Sequence, residues 1–340
     1  MRVNKSFCFA AVLVLALAGA YAWEEPRLVH TETLNLVGIE DLAISYGQDE
    51  VILKESESGD LVIKEYMTRD NPRYYVQVSR SGGTARVKRG KRPWLRWNWN
   101  ARAEIYLPRS FRGNLRISNS SGSLSGEAEL LGYRTVDISV GSGTVFLNGI
   151  SGETVSVHVS SGELNVKNIR GNSFVSVSSG RLRIDGISGE EHHVKASSGR
   201  LRIGALEGRG LITVSSGDIA IDRVQGTIEA DISSGSLDLT DFSGQGAFEI
   251  SSGNLRMDIN ELRGDLRFKL SSGTIDVLVP AALPFNLDAV TRSGNVRVNE
   301  AGEQVLKVSG NSTVLRPLGP SPQRTIFVRT SSGNLTIERR

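Results

Sequence analysis

The hydrophobic positions of this chain fall into short alternating runs. In a representative run, Val157 to Val166, apolar residues occupy every second position on both sides of a central Ser160-Ser161-Gly162 triplet. Alternation with a period of two is typical of a half-buried β-strand. The phase of the alternation changes across the triplet. The triplet is therefore predicted to be a corner between two strands, where glycine adopts backbone angles closed to other residues.

The Ser-Ser-Gly run repeats along most of the chain. From Gly162 to Gly253 the glycines of six consecutive copies are 18, 19, 18, 18 and 18 residues apart. Counting near-copies there are eleven, and in each the second residue after the glycine is apolar: Leu124, Val145, Leu164, Leu182, Leu201, Ile219, Leu237, Leu255, Ile275, Val296 and Leu335. A β-α-β unit needs about 30 residues or more. The period instead predicts one coil of a parallel β-solenoid, with successive coils about 4.8 Å apart.

The residue just before the glycine is serine in all eleven copies. We expect these serines to stack as a ladder along one edge and to satisfy backbone groups at the corner. The alternative, a row of nucleophiles, is not favoured, because the four histidines of the chain are too few to activate eleven serines.

We therefore predict an all-β fold, a single-stranded parallel β-solenoid that is right-handed by the general preference of parallel crossovers. Residues 1–22 are predicted to be a secretory signal peptide, with a basic start, an apolar run and Ala20-Tyr21-Ala22 as the cleavage site. An uncleaved anchor is the alternative, but the apolar run is short for a bilayer. Residues 23–110 contain strand patterns without the clean period, and we expect an N-terminal β cap or degenerate coils there. Residues 111–340 form the repeat domain.

Charge and cysteine content limit the classes of partner. Removing Arg2 and Lys5 from the 40 basic residues leaves 38 against 37 acidic ones, a mature charge of about +1. This balance predicts no nucleic-acid partner and no membrane partner. Cys8, the only cysteine, lies in the predicted signal, so the mature chain has no disulfide and depends on the stacking of its coils. We expect no transmembrane segment in it.

Residues 86–102 differ in chemistry from the rest of the predicted cap. They hold seven basic side chains and three tryptophans, and no acidic residue lies between Asp70 and Glu104. Tryptophan and arginine in alternation are suited to stacking on a sugar ring or to contact with an anionic headgroup. The candidate ligand-binding residues are therefore Trp94, Trp97, Trp99, Arg89, Arg92 and Arg96. The alternative is a hairpin whose tryptophans cover the end of the core while its arginines stay in water.

A block of four arginines is a secondary candidate site for an anion. Two successive repeats place Arg181, Arg183, Arg200 and Arg202 at equivalent outward positions, so they form a two-by-two cluster if the coils stack in register. Ordinary pairing with neighbouring carboxylates is the alternative. Beside the block, His192 and His193 are adjacent and should point to opposite faces of a strand, which prevents them from chelating one metal. We expect neither a metal nor a cofactor.

The alternating strand that ends in Ser-Ser-Gly and continues polar-Leu-polar-Ile/Val resembles a bacterial β-strand repeat family described as adhesin-like and of unknown function. Two strands that end in proline, 103–108 and 275–280, resemble that family too. The resemblance covers roughly residues 30 to 340. It implies the repeat fold and an adhesin-like role, and it supplies no catalytic residues.

These observations predict an exported, non-enzymatic, adhesin-like protein that binds or supports the cell envelope. Its location would be the periplasm, the cell surface or the medium, and its partner an anionic glycan, another envelope component or another protein. One alternative is a scaffold that self-associates end to end through its terminal coils. Another is a carbohydrate-active β-helix enzyme, which needs carboxylates that converge in a groove. Outward aspartates do occur on nearby coils, but they alternate with arginine and serine: Asp222, Asp238, Asp258 and Asp276.

Overall fold

The computed structural model of the protein describes residues 25–91, 99–127 and 129–340. Within these ranges the chain is built from β-strands, and its one helical element is a 3-10 turn at Pro72–Tyr74. No helix in this part of the chain has the length and apolar character needed to cross a membrane. The predicted all-β class is confirmed.

The described residues form 26 strands. The first seven are β1 (Arg27–Asn35), β2 (Asp41–Tyr46), β3 (Glu50–Ser56), β4 (Asp60–Met67), β5 (Gln77–Ser81), β6 (Thr84–Lys88) and β7 (Ala101–Pro108). The next thirteen are β8 (Asn114–Asn119), β9 (Ser123–Gly126), β10 (Leu130–Val140), β11 (Thr144–Leu147), β12 (Ile150–Val159), β13 (Glu163–Val177), β14 (Arg181–Ala196), β15 (Arg200–Val214), β16 (Asp218–Ile221), β17 (Val224–Ile232), β18 (Ser236–Ile250), β19 (Asn254–Leu270) and β20 (Thr274–Val279). The last six are β21 (Phe285–Thr291), β22 (Asn295–Glu300), β23 (Glu303–Ser309), β24 (Ser312–Leu318), β25 (Thr325–Thr330) and β26 (Asn334–Arg339).

From β8 to β20 the repeats pair in parallel and in the order of the sequence. β10 lies between β8 and β12, and β13, β14 and β15 continue the series. Leu164 lies opposite Leu182, and Leu182 lies opposite Leu201, so equivalent residues of successive repeats are stacked. Each coil therefore consists of one strand before the Ser-Ser-Gly corner and one strand after it.

The apolar ladders of the repeat form one continuous core. All eleven side chains at the second position after the glycine are at most 2% exposed. Aromatic rings also pack in this core, where Phe248 stacks on Phe268 with ring centroids 5.4 Å apart. Burying one such side chain contributes about 1.5–3 kcal/mol before the loss of chain entropy is counted.

The corner glycines are required by space and not by backbone angle. A Cβ added at Gly180 would lie 2.2 Å from the carbonyl oxygen of Gly162 in the preceding coil. One added at Gly235 would lie 2.1 Å from the carbonyl oxygen of Gly217, also in the preceding coil. Neither corner glycine has a positive φ; the left-handed angles occur in the other turn of the coil, for example at Gly171 with φ 118°. The prediction that the corner needs unusual backbone angles is therefore wrong. Stacked coils approach so closely there that no side chain fits.

Peptide groups of neighbouring coils hydrogen-bond to each other at the corner. The N–H of Ser179 donates to the carbonyl oxygen of Ser160 at 2.7 Å, and the N–H of Ser198 donates to that of Ser178 at 2.7 Å. The serines do form a ladder, but the expectation that their hydroxyls satisfy the backbone is wrong, because the hydroxyls of Ser161, Ser179 and Ser198 form no hydrogen bond with the described residues.

The N-terminal coils are not stacked in the order of the sequence. β2 pairs in parallel with β6 on one side and with β8 on the other. In the same way β3 lies between β7 and β9. The coil of residues 41–56 is thus inserted between the coil of residues 84–108 and that of residues 114–126.

The C-terminal coils show the same exchange. β25 lies between β19 and β21, and β26 lies between β20 and β22. Residues 325–339 come last in the chain, but the coil of residues 285–300 occupies the end of the stack.

Antiparallel strands cover both ends of the stack. At the N-terminal end β5 pairs with β6, and β4 pairs with β7 and β1. At the C-terminal end β23 pairs with β22, and β24 pairs with β21. The outer strands are largely exposed, and β24 carries Pro317. Proline and exposed charge on an edge strand discourage pairing with another chain.

Candidate functional site

The described parts of this segment, residues 86–91 and 99–102, lie at the end of β6 and at the start of β7, on the outermost N-terminal coil. Four of the six predicted ligand-binding residues fall outside the described residues: Trp94, Trp97, Arg92 and Arg96. Arg86 and Lys88 are exposed on β6, and Lys91 is exposed just after it. In the part of the chain that the structure describes, no carboxylate forms an ion pair with any of these three cations.

The remaining two predicted residues are half-buried. Trp99 meets Tyr74 edge-on, with ring centroids 4.8 Å apart. The backbone N–H of Arg89 donates to the carbonyl oxygen of Ser45 at 3.2 Å, and the side chain of Arg89 occupies space that Gly47 leaves open. An edge-on aromatic pair contributes about 0.5–1.5 kcal/mol beyond its burial. Trp99 therefore has a packing role at this end of the stack.

A cluster of aromatic and charged side chains lies next to this segment on the outer face of β3, β4 and β7. It consists of Lys54, Lys64, Tyr66, Arg102, Glu104 and Tyr106, and we call it the Glu104 cluster. The hydroxyl of Tyr106 donates to the carboxylate of Glu104 at 2.8 Å, and that of Tyr66 at 3.3 Å. Lys54 lies 3.2 Å from the other carboxylate oxygen. Arg102 lies over the Tyr66 ring, 4.6 Å from its centroid.

The surroundings of Glu104 decide its charge state. Burial alone would raise its pKa, but hydrogen bonds from Tyr106 and Lys54 and the charges of Lys54 and Arg102 outweigh burial and hold the pKa below its usual value. Burial, followed by the hydrogen bond to Glu104, raises the pKa of Tyr106 to about 12. The cluster therefore holds a fixed carboxylate anion and a protonated phenol at neutral pH.

Sequence reasoning missed the Glu104 cluster because its members come from three strands. Lys54 lies opposite Tyr106 in a parallel pair, while Lys64 lies opposite Glu104 in an antiparallel pair. The sequence offers only the alternation of polar and apolar residues in each strand as a signal, and this alternation does not say which strands are neighbours.

A pocket of 490 Å³ adjoins the Glu104 cluster at Lys54, near the end of β3. Its lining is mixed: Leu53, Lys54, Glu55, Leu107, Pro108, Arg109, Arg112, Glu127, Glu129, Leu130, Leu131 and Tyr133. Burial raises the pKa of Tyr133 to about 12. Three cations and three carboxylates share this lining, so the pocket has no charge preference.

The four arginines of the second candidate site are placed as the repeat predicts. Arg181 lies opposite Arg200, and Arg183 lies opposite Arg202, on neighbouring parallel strands. Like charges placed opposite each other destabilise a sheet. Elsewhere on the coils opposite charges meet, as where Arg209 pairs with Glu229 at 2.8 Å.

Carboxylates compensate most of this arginine block. Three of the four have one within ion-pair distance: Arg183 with Asp185 at 3.4 Å, Arg200 with Asp218 at 3.7 Å and Arg202 with Asp222 at 2.9 Å. Arg181 forms no ion pair with a carboxylate of the described residues. The alternative of ordinary pairing thus accounts for three arginines and leaves the fourth without a partner.

A groove of 390 Å³ runs along the Ser-Ser-Gly corner beside the block. Four successive coils line it with Ser142-Gly143-Thr144, Ser161-Gly162-Glu163, Ser179-Gly180-Arg181 and Ser198-Gly199-Arg200. The buried glycines form its floor, between exposed serines on one side and the residues after the glycines on the other. Within the described chain no group hydrogen-bonds to the hydroxyls of Ser161, Ser179 or Ser198.

The two adjacent histidines point to opposite sides, as predicted. His192 is fully buried, and its ring nitrogens lie 2.9 Å from the hydroxyl of Ser173 and 2.9 Å from the carbonyl oxygen of Glu207. His193 is exposed and pairs with Glu191 at 2.9 Å. Among the described residues no group of three or more His, Cys, Asp or Glu side chains is arranged to hold a metal ion.

The fold and these sites define an all-β, solenoid-like repeat protein whose outer face carries charged and hydroxyl-bearing ladders. The chain belongs to the Toastrack DUF4097 family, whose model matches residues 39–236 and 208–338. This membership confirms the coarser part of the resemblance noted in the sequence. No curated protein matches the chain.

Several solved structures are similar to the chain. One is titled a putative lipid binding protein from Parabacteroides distasonis, with 16% identity, coverage of 91% of this chain and 96% of that chain, and a TM-score of 0.38. A putative adhesin from the same organism has 12% identity, coverage of 92% and 96%, and a TM-score of 0.33. A putative cell adhesion protein from Clostridium sporogenes has 10% identity, coverage of 92% and 98%, and a TM-score of 0.25.

Proposed function

We propose that the protein is an exported, non-enzymatic, right-handed parallel β-solenoid that binds an anionic component of the cell envelope or surface. The observation that carries the proposal is a difference in charge compensation. From β8 to β20 nine of the fifteen lysines and arginines have a carboxylate partner, as Arg209 does with Glu229 and Arg223 with Asp241. On the outermost N-terminal coil Arg86, Lys88 and Lys91 have none within the described residues.

Export is supported by residues 1–22, with their basic start, apolar run and small-x-small end. The absence of any cysteine after Cys8 is consistent with a protein stabilised by coil stacking in any redox compartment. The periplasm, the cell surface and the medium all fit this proposal.

A non-enzymatic role is supported by the Glu104 cluster, the densest group of catalytic residue types in the described chain. Hydrolysis of a glycosidic bond needs one carboxyl group with a raised pKa that donates a proton. The pKa of Glu104 is lowered instead, and the second nearby carboxylate, Glu127, faces the same ammonium of Lys54 at 3.9 Å. Glu104 is therefore unsuited to be the proton donor that the enzyme alternative requires.

The scaffold alternative is not favoured by the ends of the stack. A coil that polymerises end to end needs an unpaired strand edge that matches the next molecule. Both ends instead carry antiparallel, largely exposed strands, and one of them holds Pro317. We therefore favour binding over end-to-end polymerisation as the function.

The test removes the three uncompensated cations together. The triple variant Arg86→Ser, Lys88→Ser, Lys91→Ser should lose most of its binding to isolated envelope material at low salt while its melting temperature stays unchanged. The matched control, Arg209→Ser, Arg223→Ser, Arg263→Ser, removes the same charge from paired positions and should bind as the wild type does. Wild-type binding should also weaken as salt rises. Equal loss in both triple variants would contradict the proposal.

The tryptophans need a separate variant. Replacing Trp94, Trp97 and Trp99 by alanine distinguishes a ligand-binding role from a packing role. A lower melting temperature with unchanged binding assigns them to packing, and lost binding with an unchanged melting temperature assigns them to the ligand.

A further inference from the structure

We propose that the corner groove and the arginine block form one binding site for an acidic polysaccharide that lies along the axis of the stacked coils. The inference rests on the proposed binding function and names the class of its ligand. It also adds a second binding site, which is distant in sequence from residues 86–102.

The arginine block points to an anion. Arg181 and Arg200 lie opposite each other in neighbouring coils, and both belong to the wall of the groove. Such a like-charged pair costs stability, and Arg181 has no ion pair among the described residues. A carboxylate placed between the two guanidinium groups receives hydrogen bonds from both and removes their repulsion.

Acidic residues limit this anion site to two coils. Glu163 precedes Arg181 in the same wall, and Asp218 follows Arg200. A polymer with a negative charge at every step would meet Glu163 and Asp218 as it passed along the groove. The wall therefore fits a chain whose negative groups are carried on a largely neutral backbone.

The serines point to a ligand rich in hydroxyl groups. Serine precedes the glycine in all eleven copies, whereas the position before it also accommodates Gly141 and Arg292. Neighbouring coils are joined at the corner by peptide hydrogen bonds, and no described group hydrogen-bonds to the hydroxyls of Ser161, Ser179 or Ser198, so the fold does not use these hydroxyls for hydrogen bonding. Each hydroxyl can donate one hydrogen bond and accept others, which matches the hydroxyls of a sugar.

The shape of the groove points to a linear ligand. Four coils about 4.8 Å apart give a length of roughly 14 Å between the first and the last. The serine ladder continues beyond both ends, to Ser121 on one side and Ser216 on the other. The floor is glycine backbone and the walls are mainly polar, so the groove offers little apolar surface to a lipid chain.

The first experiment measures binding of a partly methyl-esterified oligogalacturonate, whose free carboxylates are spaced along a largely neutral chain, to the mature protein by calorimetry. This ester is called oligogalacturonate below. Arg181→Ser with Arg200→Ser should weaken binding at least about tenfold, the effect of losing charge-assisted hydrogen bonds. The control, Arg209→Ser with Arg223→Ser, removes the same charge from paired positions outside the groove and should stay within about twofold of the wild type. An unchanged affinity in the first variant, or an equal loss in both, overturns the site.

The second experiment separates a sugar from other acidic chains. Ser161→Ala, Ser179→Ala and Ser198→Ala together should weaken binding of oligogalacturonate several-fold. Poly-L-glutamate of equal charge should bind the wild type more weakly than oligogalacturonate, and the serine substitutions should not affect it. Equal affinity of the two polymers for the wild type overturns the assignment to a polysaccharide.

The two proposals fail in different ways. If the wild type does not bind oligogalacturonate, the groove proposal is wrong, while the test on envelope material still decides the general function. If only the variant at Arg86, Lys88 and Lys91 loses oligogalacturonate, the ligand class is right and the groove is not its site.

Discussion

The middle of the stack and its two ends follow different rules of assembly. In the middle each coil pairs with the repeat just before it and the repeat just after it, as where Leu182 lies between Leu164 and Leu201. At the ends the chain passes over one coil position, which is already occupied at the N-terminal end and is filled later at the C-terminal end. Asn114 is hydrogen-bonded to Asp41, 73 residues away, and Thr325 to Asp265, 60 residues away.

The difference shows how a cysteine-free stack retains its terminal coils. A terminal repeat in a sequential solenoid touches only one neighbour and is the first to fray. Here the last coil of the sequence is held on both sides by β20 and β22. Closing the long loops that this arrangement requires costs entropy, but that cost grows only slowly with loop length.

The largest expected effect is on disulfide formation between pairs of introduced cysteines. Each pair either forms or stays reduced, and the result tests the order of the coils. Thr336 lies opposite Asp276 on one side and Arg297 on the other. The pairs Asp276→Cys/Thr336→Cys and Thr336→Cys/Arg297→Cys should each form a disulfide, because neighbouring strands are about 4.8 Å apart. The pair Asp276→Cys/Arg297→Cys spans two strand spacings and should stay reduced.

Mass spectrometry of the oxidised proteins checks this prediction. A stack in the order of the sequence would place β22 between β20 and β26, so the pair Asp276→Cys/Arg297→Cys would form and the pair Asp276→Cys/Thr336→Cys would stay reduced.

A second large effect is expected inside the middle coils. Leu201 is 2% exposed in the core ladder, and Leu201→Asp leaves an unpaired charge there, which should cost about 3–5 kcal/mol and unfold neighbouring coils. Arg202→Asp, one residue on, loses an exposed ion pair with Asp222 and should cost about 1 kcal/mol or less. Chemical denaturation measures both, and similar losses would show that the assigned inward and outward directions are wrong.

A smaller effect is expected where the middle coils approach most closely. Gly180→Ala places a Cβ 2.2 Å from the carbonyl oxygen of Gly162 and should cost about 1–3 kcal/mol by forcing the coils apart. At Gly59, near the N-terminal end, an added Cβ meets no atom within 4 Å, so Gly59→Ala should be neutral or slightly stabilising. Thermal melting compares the two, and equal shifts would contradict the spatial explanation of the corner glycines.

The smallest expected effect is a pH dependence that comes from one middle coil. Burial lowers the pKa of His192, so the unfolded chain binds a proton more readily than the folded one. Stability should therefore fall as the pH drops below the ordinary histidine pKa of about 6.5, and it should be unaffected by this group above it. His192→Gln should reduce the loss between pH 7.5 and pH 5.5, whereas the exposed His193→Gln should leave it unchanged. A wild-type slope that persists in His192→Gln would assign the effect to another group.

Much of the middle of the molecule follows directly from the sequence. Alternation assigns each side chain to the core or the surface, and the constant spacing of the triplets aligns equivalent residues of successive coils. Both features are local, and together they place Arg181 opposite Arg200 without any knowledge of the fold. They also separate His192 from His193, for the same reason.

The tertiary structure alone decided the coil order at the ends, the Glu104 cluster and the reason for the corner glycines. A parallel strand presents the same row of N–H and C=O groups to any neighbour of suitable length, so the alternation in β2 does not say that β6 and β8 flank it. The Glu104 cluster depends on such pairings, since Lys54, Lys64 and Tyr106 meet only when β3 and β4 enclose β7. At the corner the sequence shows that glycine recurs, but only the distance between stacked backbones shows that a Cβ has no room.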